Sequence, residues 1–496
     1  MIIKIYISSE LKENRGSRYT KKNQLIDHTV TQYIQENMGS LSKRGRPSGG
    51  QPNLLHTAWY RHHQNPYHSL NNPDGIINLG TAENRVLFDA IQKKLSSINL
   101  GEMSEDYTHY CKLTGTDPFR QKLSVFFNKF MSPVEKINAD DVIVMNGCGT
   151  VIEQLGVAIC DEGEGVLIPA PYYTGFKSDL EQRFGIKTVP VKLQCKGSNA
   201  FTISLQLLEE AYESAEERGI PVRALLLSNP NNPLGTLYTE EELEMMAEFC
   251  LKNDIHLIVD EIYMLTVYDE QTKFKSILSI KNFEKYRNII HVVWGFSKDF
   301  SLSGFRVGVA ITKNADLQSS LGSVGYYTSV STPTQYILEE MITDTEWLNE
   351  LVTLNHQRLK VNRGIVCKTL TQENISFVQP KSGLFVWMNL SKCMKSNTFR
   401  CETELFEKLM SAGLYLVPGQ AFETKESGWF RMIFSNNIDI LNIALNRLVS
   451  VVRENTPMEN TLLESGSRHM SSDSVAKLES LVRKRNTKSM FMERLS

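Results

Sequence analysis

Between about residues 75 and 450, short apolar runs alternate with longer stretches of helical periodicity. Val142-Ile143-Val144-Met145 is the first compact run, and the pattern predicts a helix over 151–160 after it. A second strand is expected at 165–168, closed by Pro169 and Pro171. Residues 223–228 (RALLLS) form a third, stopped by Asn229-Pro230. Residues 239–252 open with Thr239 and carry Glu242 three positions on, a capping box that starts a helix. Further strands are expected at 256–259, 289–294 and 304–311, and a long helix at 346–372 leads to a smaller unit. Near-continuous apolar strands separated by helices indicate a mainly parallel sheet covered on both faces. No internal repeat interrupts this order.

The two ends of the chain read differently. Residues 1–74 are polar, rich in Lys, Asn, Gln and His, and show little sustained periodicity, so they read as a weakly structured extension. Residues 456–496 are polar too, and Lys477 to Arg494 is basic with scattered Leu and Met, which reads as a mobile tail.

Composition narrows the function classes. The 496 residues are 41% hydrophobic and 22% charged with a net charge of -2, so no global field favours nucleic acid or an anionic membrane. Arg44-Gly45-Arg46-Pro47 resembles the core of a minor-groove-binding motif, but one basic turn in a polar stretch reads as solvated surface. No apolar run reaches the roughly 18 residues of a membrane span, and the first residues are too broken for a secretory leader. The eight cysteines, at 111, 148, 160, 195, 250, 367, 393 and 401, form no C-x-x-C pair. They read as reduced residues of a cytoplasmic protein, which leaves the sequons at Asn374 and Asn389 without meaning.

Candidate chemistry gathers where strands end. Lys298 follows one strand, Asp260 and Tyr263 another, and Asn232 lies in the Asn229–Gly235 turn after a third. Gly147-Cys148-Gly149-Thr150 joins a strand to a helix, and Arg306 stands eight residues beyond Lys298. Each has an ordinary reading alone: a surface lysine, a helix cap, a turn asparagine. Together they place four polar turns at the carboxyl edge of one sheet, where open α/β sheets bind ligands. A partly desolvated lysine suits imine chemistry. Helix-start N–H groups, a hydroxyl and an arginine suit a phosphate. A carboxylate suits a protonated pyridine nitrogen.

In this order the residues resemble the motifs of fold-type I pyridoxal phosphate (PLP) enzymes. The likeness is strongest to 1-aminocyclopropane-1-carboxylate (ACC) synthases and the animal ACC-synthase-like proteins. It rests on Asn78–Asn84, Pro171-Tyr172-Tyr173, Asn229–Thr236, Ser297-Lys298-Asp299, Ser303–Gly308, Ser382–Trp387 and Gly428–Arg431. The resemblance implies an α/β fold whose large domain holds a mainly parallel seven-stranded sheet beside a smaller α/β domain. With it the chain divides into an extension (1–74), the start of the small domain (75–110), a large PLP-binding domain (111–345), the small domain (346–455) and a tail (456–496). It implies a homodimer and no metal.

Roles follow by resemblance. Lys298 is the lysine that joins the cofactor and takes the Cα proton. Asp260 pairs with the ring nitrogen, and Asn232 and Tyr263 hold the ring oxygen. Arg306, Cys148, Gly149 and Thr150 hold the phosphate. Tyr173 stacks on the ring, with Tyr172 the adjacent alternative. Arg431 takes the substrate carboxylate as a fork, Glu83 marks ACC synthases against aminotransferases, and Tyr110 reaches the partner subunit's phosphate.

The chain departs from the family in two places. Where many members carry a phosphate-binding Ser three residues before the lysine, it has Gly295, and it reads Phe300–Gly304 where plant-type enzymes have a Gly-Leu-Pro-Gly-like stretch. Three functions remain open: a lyase acting on S-adenosylmethionine, a transaminase or vinylglycine-type deaminase, and an inactive PLP-fold scaffold.

Overall fold

The computed structural model describes residues 54–196 and 200–456. The Arg44–Pro47 tetrapeptide and the Lys477–Arg494 stretch lie outside them. Helices used below are α1 (Leu54–Gln64), α2 (Asp117–Met131), α3 (Cys148–Ile159), α4 (Gly175–Phe184), α5 (Glu240–Lys252), α6 (Thr345–Gln372) and α7 (Phe399–Ser411).

Fifteen strands are formed by the described residues. Seven make the central sheet: β2 (Val142–Met145), β3 (Gly165–Ala170), β4 (Lys187–Lys192), β7 (Val222–Ser228), β8 (His256–Asp260), β9 (Ile290–Gly295) and β10 (Gly308–Thr312). Their order is β2-β10-β9-β8-β7-β3-β4, and β10 alone runs antiparallel to its neighbours. The hydrophobic pattern explains why both faces are covered. Along each strand successive side chains alternate between two apolar clusters. Val142 and Val144, Leu225 and Leu227, and Leu257 and Val259 enter one. Ile143 and Met145, Ala224 and Leu226, and Ile258 enter the other. The first face is closed by Phe119, Leu123 and Phe127 of α2, the second by Val151 and Leu155 of α3 and Phe176 and Leu180 of α4. Each such fully buried large side chain stabilises by about 1.5–3 kcal/mol.

The C-terminal part builds a second, antiparallel sheet of β11 (Ser376–Val378), β12 (Phe385–Asn389), β15 (Trp429–Ile433) and β14 (Val417–Pro418). β1 (Ile77–Asn78) pairs in parallel with β13 (Leu414–Tyr415), which ties the segment after α1 to this part of the chain. β5 (Gln194–Lys196) and β6 (Ala200–Thr202) form a separate ribbon.

Most elements fall where the pattern puts them, and α5 begins on the expected capping box, with Thr239 accepting from the Glu242 N–H. Four expectations need correction. The strand expected to close at Pro169 runs through it to Ala170, with Pro169 opposite Val191 on β4. The helix expected at 151–160 starts at Cys148, because the Gly-rich turn itself winds into its first turn. The strand expected at 304–311 starts at Gly308. Ser303–Phe305 closes a 3-10 turn, and Arg306 sits at φ +55°, which no strand residue adopts. Residues 54–64, read as weakly structured, form α1. Its sequence LLHTAWYRHHQ has a narrow apolar face, but Ala58 is buried and Leu54 and Leu55 pack on the core.

Candidate active site

β2, β3, β7, β8 and β9 run in parallel, so the turns that follow them emerge on one edge of the sheet. β10 runs the other way and starts at that edge, two residues after Arg306. This topology brings Cys148–Thr150, Tyr173, Asn232, Asp260, Tyr263, Lys298 and Arg306 to one place.

Three glycines let backbones meet beneath it. Gly147 takes φ +118°, and a Cβ there would lie 2.5 Å from Arg306 Nη2, so the guanidinium rests over the start of α3. A Cβ on Gly308 would run into the Gly147-Cys148 peptide. A Cβ on Gly295 would lie 2.6 Å from Cys148 Sγ and 2.7 Å from the Val307 carbonyl oxygen. The glycine that departs from the family therefore has a local cause: the Cys148 thiol fills that space and donates to the Trp294 carbonyl, 3.3 Å away. Thr150 stands half-buried in the first turn of α3. Arg306 donates to the Ser303 carbonyl at 3.1 Å and forms no ion pair among the described residues.

Lys298 sits in the short helical turn Phe296–Asp299. Asp299 pins that turn, accepting from Trp294 Nε1 at 3.0 Å and from the Leu265 N–H at 3.3 Å. Lys298 Nζ donates to the Ala82 carbonyl, and Asn84 Nδ2 holds the Lys298 carbonyl at 3.2 Å. Burial, then the Arg431 charge, lowers the lysine to about 8, which makes the neutral amine accessible near neutral pH. Asp260 is 5% exposed, and among the described residues its carboxyl accepts only from the Ile262 N–H, at 3.2 Å. Burial raises it to about 7 against the opposing effects of that N–H and of Lys298.

Arg431 comes from β15, opposite Trp387 on β12 and Val417 on β14. It is buried, lies 4.9 Å over the Phe422 ring, and donates to Asn232 Oδ1 at 2.9 Å and to the Gly80 carbonyl. Its Nε has no partner, and no carboxylate in the described residues pairs with it. Tyr263 is buried edge-on to Phe385. Tyr173 is 37% exposed and leans over Gly175, whereas Tyr172 is buried and stacks on Phe176.

Two expected residues stand apart. Glu83 turns to Arg85, 2.8 Å away, with about 40% of its side chain exposed; it reaches Lys298 only through its charge. Tyr110 is 98% exposed and meets none of the other candidates within the chain.

The structure also gives roles to residues that motif reading left without one. Ala82, Asn84, Asp299 and Phe422 hold Lys298 or Arg431 in place. Tyr415 packs its ring against Gly80 and feels the Arg431 charge. Glu402 of α7 is fully buried and accepts from the Gln420 N–H at 2.8 Å and the Gly428 N–H at 2.6 Å, pinning the loop that leads into Arg431. An acid in an amphipathic helix carried no sequence signal of that kind. Asp179 of α4 faces Gly149, and nothing in its helix marked it.

Residues 74–448 match the family model described as aminotransferase class I and II. The chain is 33% identical over 425 residues to a Mus musculus protein named probable inactive 1-aminocyclopropane-1-carboxylate synthase-like protein 2, covering 85% of this chain and 73% of that one. It is 32% identical over 451 residues to Arabidopsis thaliana 1-aminocyclopropane-1-carboxylate synthase 11, covering 88% of this chain and 97% of that one. Among solved structures, a single mutant of Thermus thermophilus aspartate aminotransferase aligns with a TM-score of 0.67 at 22% identity, over 83% of this chain and 99% of that one. That likeness shows the fold.

Proposed function

The chain belongs to the class I and II aminotransferase family, and on that premise we propose that it is a PLP enzyme acting on α-amino acids. The observation that carries this reading is a pair of cations, half-buried Lys298 and buried Arg431, with no carboxylate partner on either among the described residues. A buried guanidinium with an unused Nε is unfavourable unless a ligand completes it. An α-carboxylate suits the fork, and an amine bound there would lie toward Lys298.

The donor set suits the cofactor. Gly147, Gly295 and Gly308 leave a backbone cradle at a helix start, with Arg306 over it. Asp260 is a buried acid with no cationic partner in contact, and a protonated ring nitrogen would give it one. Asn232 and Tyr263 suit the ring oxygen, and Tyr173 the ring face. When bound, PLP supplies an electron sink for the charge left at Cα. Lys298 Nζ takes the Cα proton, and its lowered affinity for protons fits that task. Ala82 and Asn84 aim the lysine from both ends. Asp260 holds the ring-nitrogen proton.

Within this chemistry we favour an ACC-synthase-like reaction, methylthioadenosine loss from S-adenosylmethionine, because the negative charge of Glu83 acts on the lysine from the site's surroundings. Transamination or deamination of a vinylglycine-type amino acid uses the same residues. The name of the mouse relative raises the inactive alternative; the retained Lys298, Asp260, Tyr263, Arg306 and Arg431 weigh against it. Incubation of the purified protein with S-adenosylmethionine, vinylglycine and a panel of amino acids in deuterium oxide, read by mass spectrometry, tests all three. Absence of any product and of any Cα deuterium would sink the enzymatic reading.

The exposed Tyr110 suits a homodimer in which it completes the second copy's site. Sedimentation showing a fully active monomer would overturn that arrangement. None of the eight cysteines forms a disulfide, which suits a reducing, cytoplasmic setting. No helix of the described residues is long and apolar enough to cross a membrane.

A further inference from the structure

α4 packs along α3, and its residue Asp179 turns toward the first turn of that helix. A Cβ built on Gly149 would lie 3.2 Å from Asp179 Oδ1 and 3.6 Å from Oδ2, so the carboxyl sits against the backbone of the phosphate cradle. Among the described residues it takes part in no hydrogen bond and no ion pair. The charged groups around it do not neutralise it. On α3, Glu153 is engaged by Arg183 at 3.0 Å, and Cys148 is a half-buried thiol. On β8, Asp260 is a second acid. Tyr173 stands at the start of its own helix. Arg306 rests over Gly147 and donates to Ser303 instead.

A phosphate monoester brings up to two negative charges to this cradle. A carboxylate beside it would repel them, and the low-polarity surroundings weaken screening. A carboxylic acid would not, and it would add a donor where Gly295 offers none. Burial, then the Glu153 charge, raises Asp179 to about 7, so the empty carboxyl titrates near neutral pH and is poised to gain a proton when an anion arrives.

We propose that Asp179 belongs to the phosphate site and carries a proton whenever a phosphate monoester occupies the cradle, so that cofactor binding takes up a proton from solvent. This rests on the PLP reading above. It assigns to an acid a place in a site otherwise built of backbone amides and an arginine. It also makes cofactor retention depend on pH.

The test uses pyridoxine 5′-phosphate, which has no aldehyde and so leaves the Lys298 chemistry out. Its dissociation constant is measured for wild type, Asp179→Asn and Asp179→Leu at about pH 6 and about pH 8.5. Calorimetry of wild type near pH 7.5 in two buffers of different ionisation enthalpy counts protons taken up. The expected result is net uptake by wild type and affinity at least about tenfold weaker at the higher pH. Both variants should show a much smaller ratio and bind more tightly than wild type at the higher pH. The same pH ratio in all three proteins, or no proton uptake, would overturn the proposal while leaving the PLP reading intact. Binding of neither pyridoxine 5′-phosphate nor PLP at either pH would overturn both.

Discussion

Arg431 Nη1 donates to Asn232 Oδ1 across 2.9 Å, joining the second sheet to the turn after β7. The residue expected to bind substrate and one expected to bind the cofactor are thus in direct contact. Movement of either is felt by the other, and a carboxylate arriving at the fork must be accommodated beside this bond. Glu402 fixes the loop before Arg431, and Phe422 lies under it, so the guanidinium is held before any ligand binds.

Arg431→Leu should raise the half-saturating concentration of every α-amino acid by about two to four orders of magnitude. That follows from the roughly 3–5 kcal/mol lost when one member of a buried charged pair is removed. PLP should remain bound, and the cofactor-free variant should lose little stability, because removal of the orphan Nε and the buried charge offsets the loss of the donors to Asn232 and Gly80. Titration with L-alanine followed by cofactor absorbance measures the first effect and thermal melting the second. Unchanged half-saturation would place the carboxylate elsewhere.

Gly295→Ser should not restore the hydroxyl that other family members use. The new Cβ meets both the Cys148 thiol and the Val307 carbonyl oxygen. Overpacking of this kind costs about 1–3 kcal/mol. The variant should melt earlier and hold PLP no better than wild type. Adding Cys148→Ala should recover part of the stability and not all, because the Val307 carbonyl stays. A tighter PLP complex in the single variant would show that the strands have room to part.

Sequence patterning gave the central sheet because its strands are short, apolar and bounded by Pro, Gly or Asn, as at Ser228-Asn229-Pro230. It located Lys298, Asp260 and Arg306 because each follows or precedes a strand at the same edge. What it could not give depends on packing between distant segments. α1 was hidden because His and Arg mask its narrow apolar face. Gly295 read as a lost donor, whereas its cause is a thiol 147 positions earlier in the chain. Asp179 and Glu402 carry no mark in the sequence pattern; only the folded chain turns one to Gly149 and the other to two backbone N–H groups.

Lys298 should make the stability of the cofactor-free protein rise with pH. Burial lowers its folded-state value to about 8 from the ordinary 10.5. Between those values the unfolded chain binds the proton and the folded chain does not, so the lysine's contribution favours folding increasingly as pH rises from about 8 to 10.5. Below about 8 both states are protonated, and the folded state carries a desolvated charge. Lys298→Met should therefore stabilise the cofactor-free protein at about pH 7, and the gain should shrink toward pH 10. Chemical denaturation of both proteins at several pH values measures this. The same variant should also lose all borohydride-trapped cofactor. A gain that is constant across the range would mean that the lysine is not desolvated.

Glu83→Gln tests which substrate the site serves. The carboxylate is about 40% exposed and already engaged by Arg85, so its field is partly cancelled and screened. It still acts on Lys298 at the mouth of the site. A sulfonium is a fixed cation and benefits from a nearby negative charge, whereas a neutral side chain does not. Removal of the charge also leaves Arg85 uncompensated, which adds repulsion for the cation alone. The half-saturating concentration of S-adenosylmethionine should therefore rise by about two- to fivefold, in keeping with the 0.2–1 kcal/mol of exposed pairs. That of L-alanine should stay within error. Arg85→Gln should shift S-adenosylmethionine in the opposite direction, because it frees the carboxylate. Equal shifts for the two substrates in Glu83→Gln would remove the reason for preferring the lyase reaction and favour a general amino-acid enzyme.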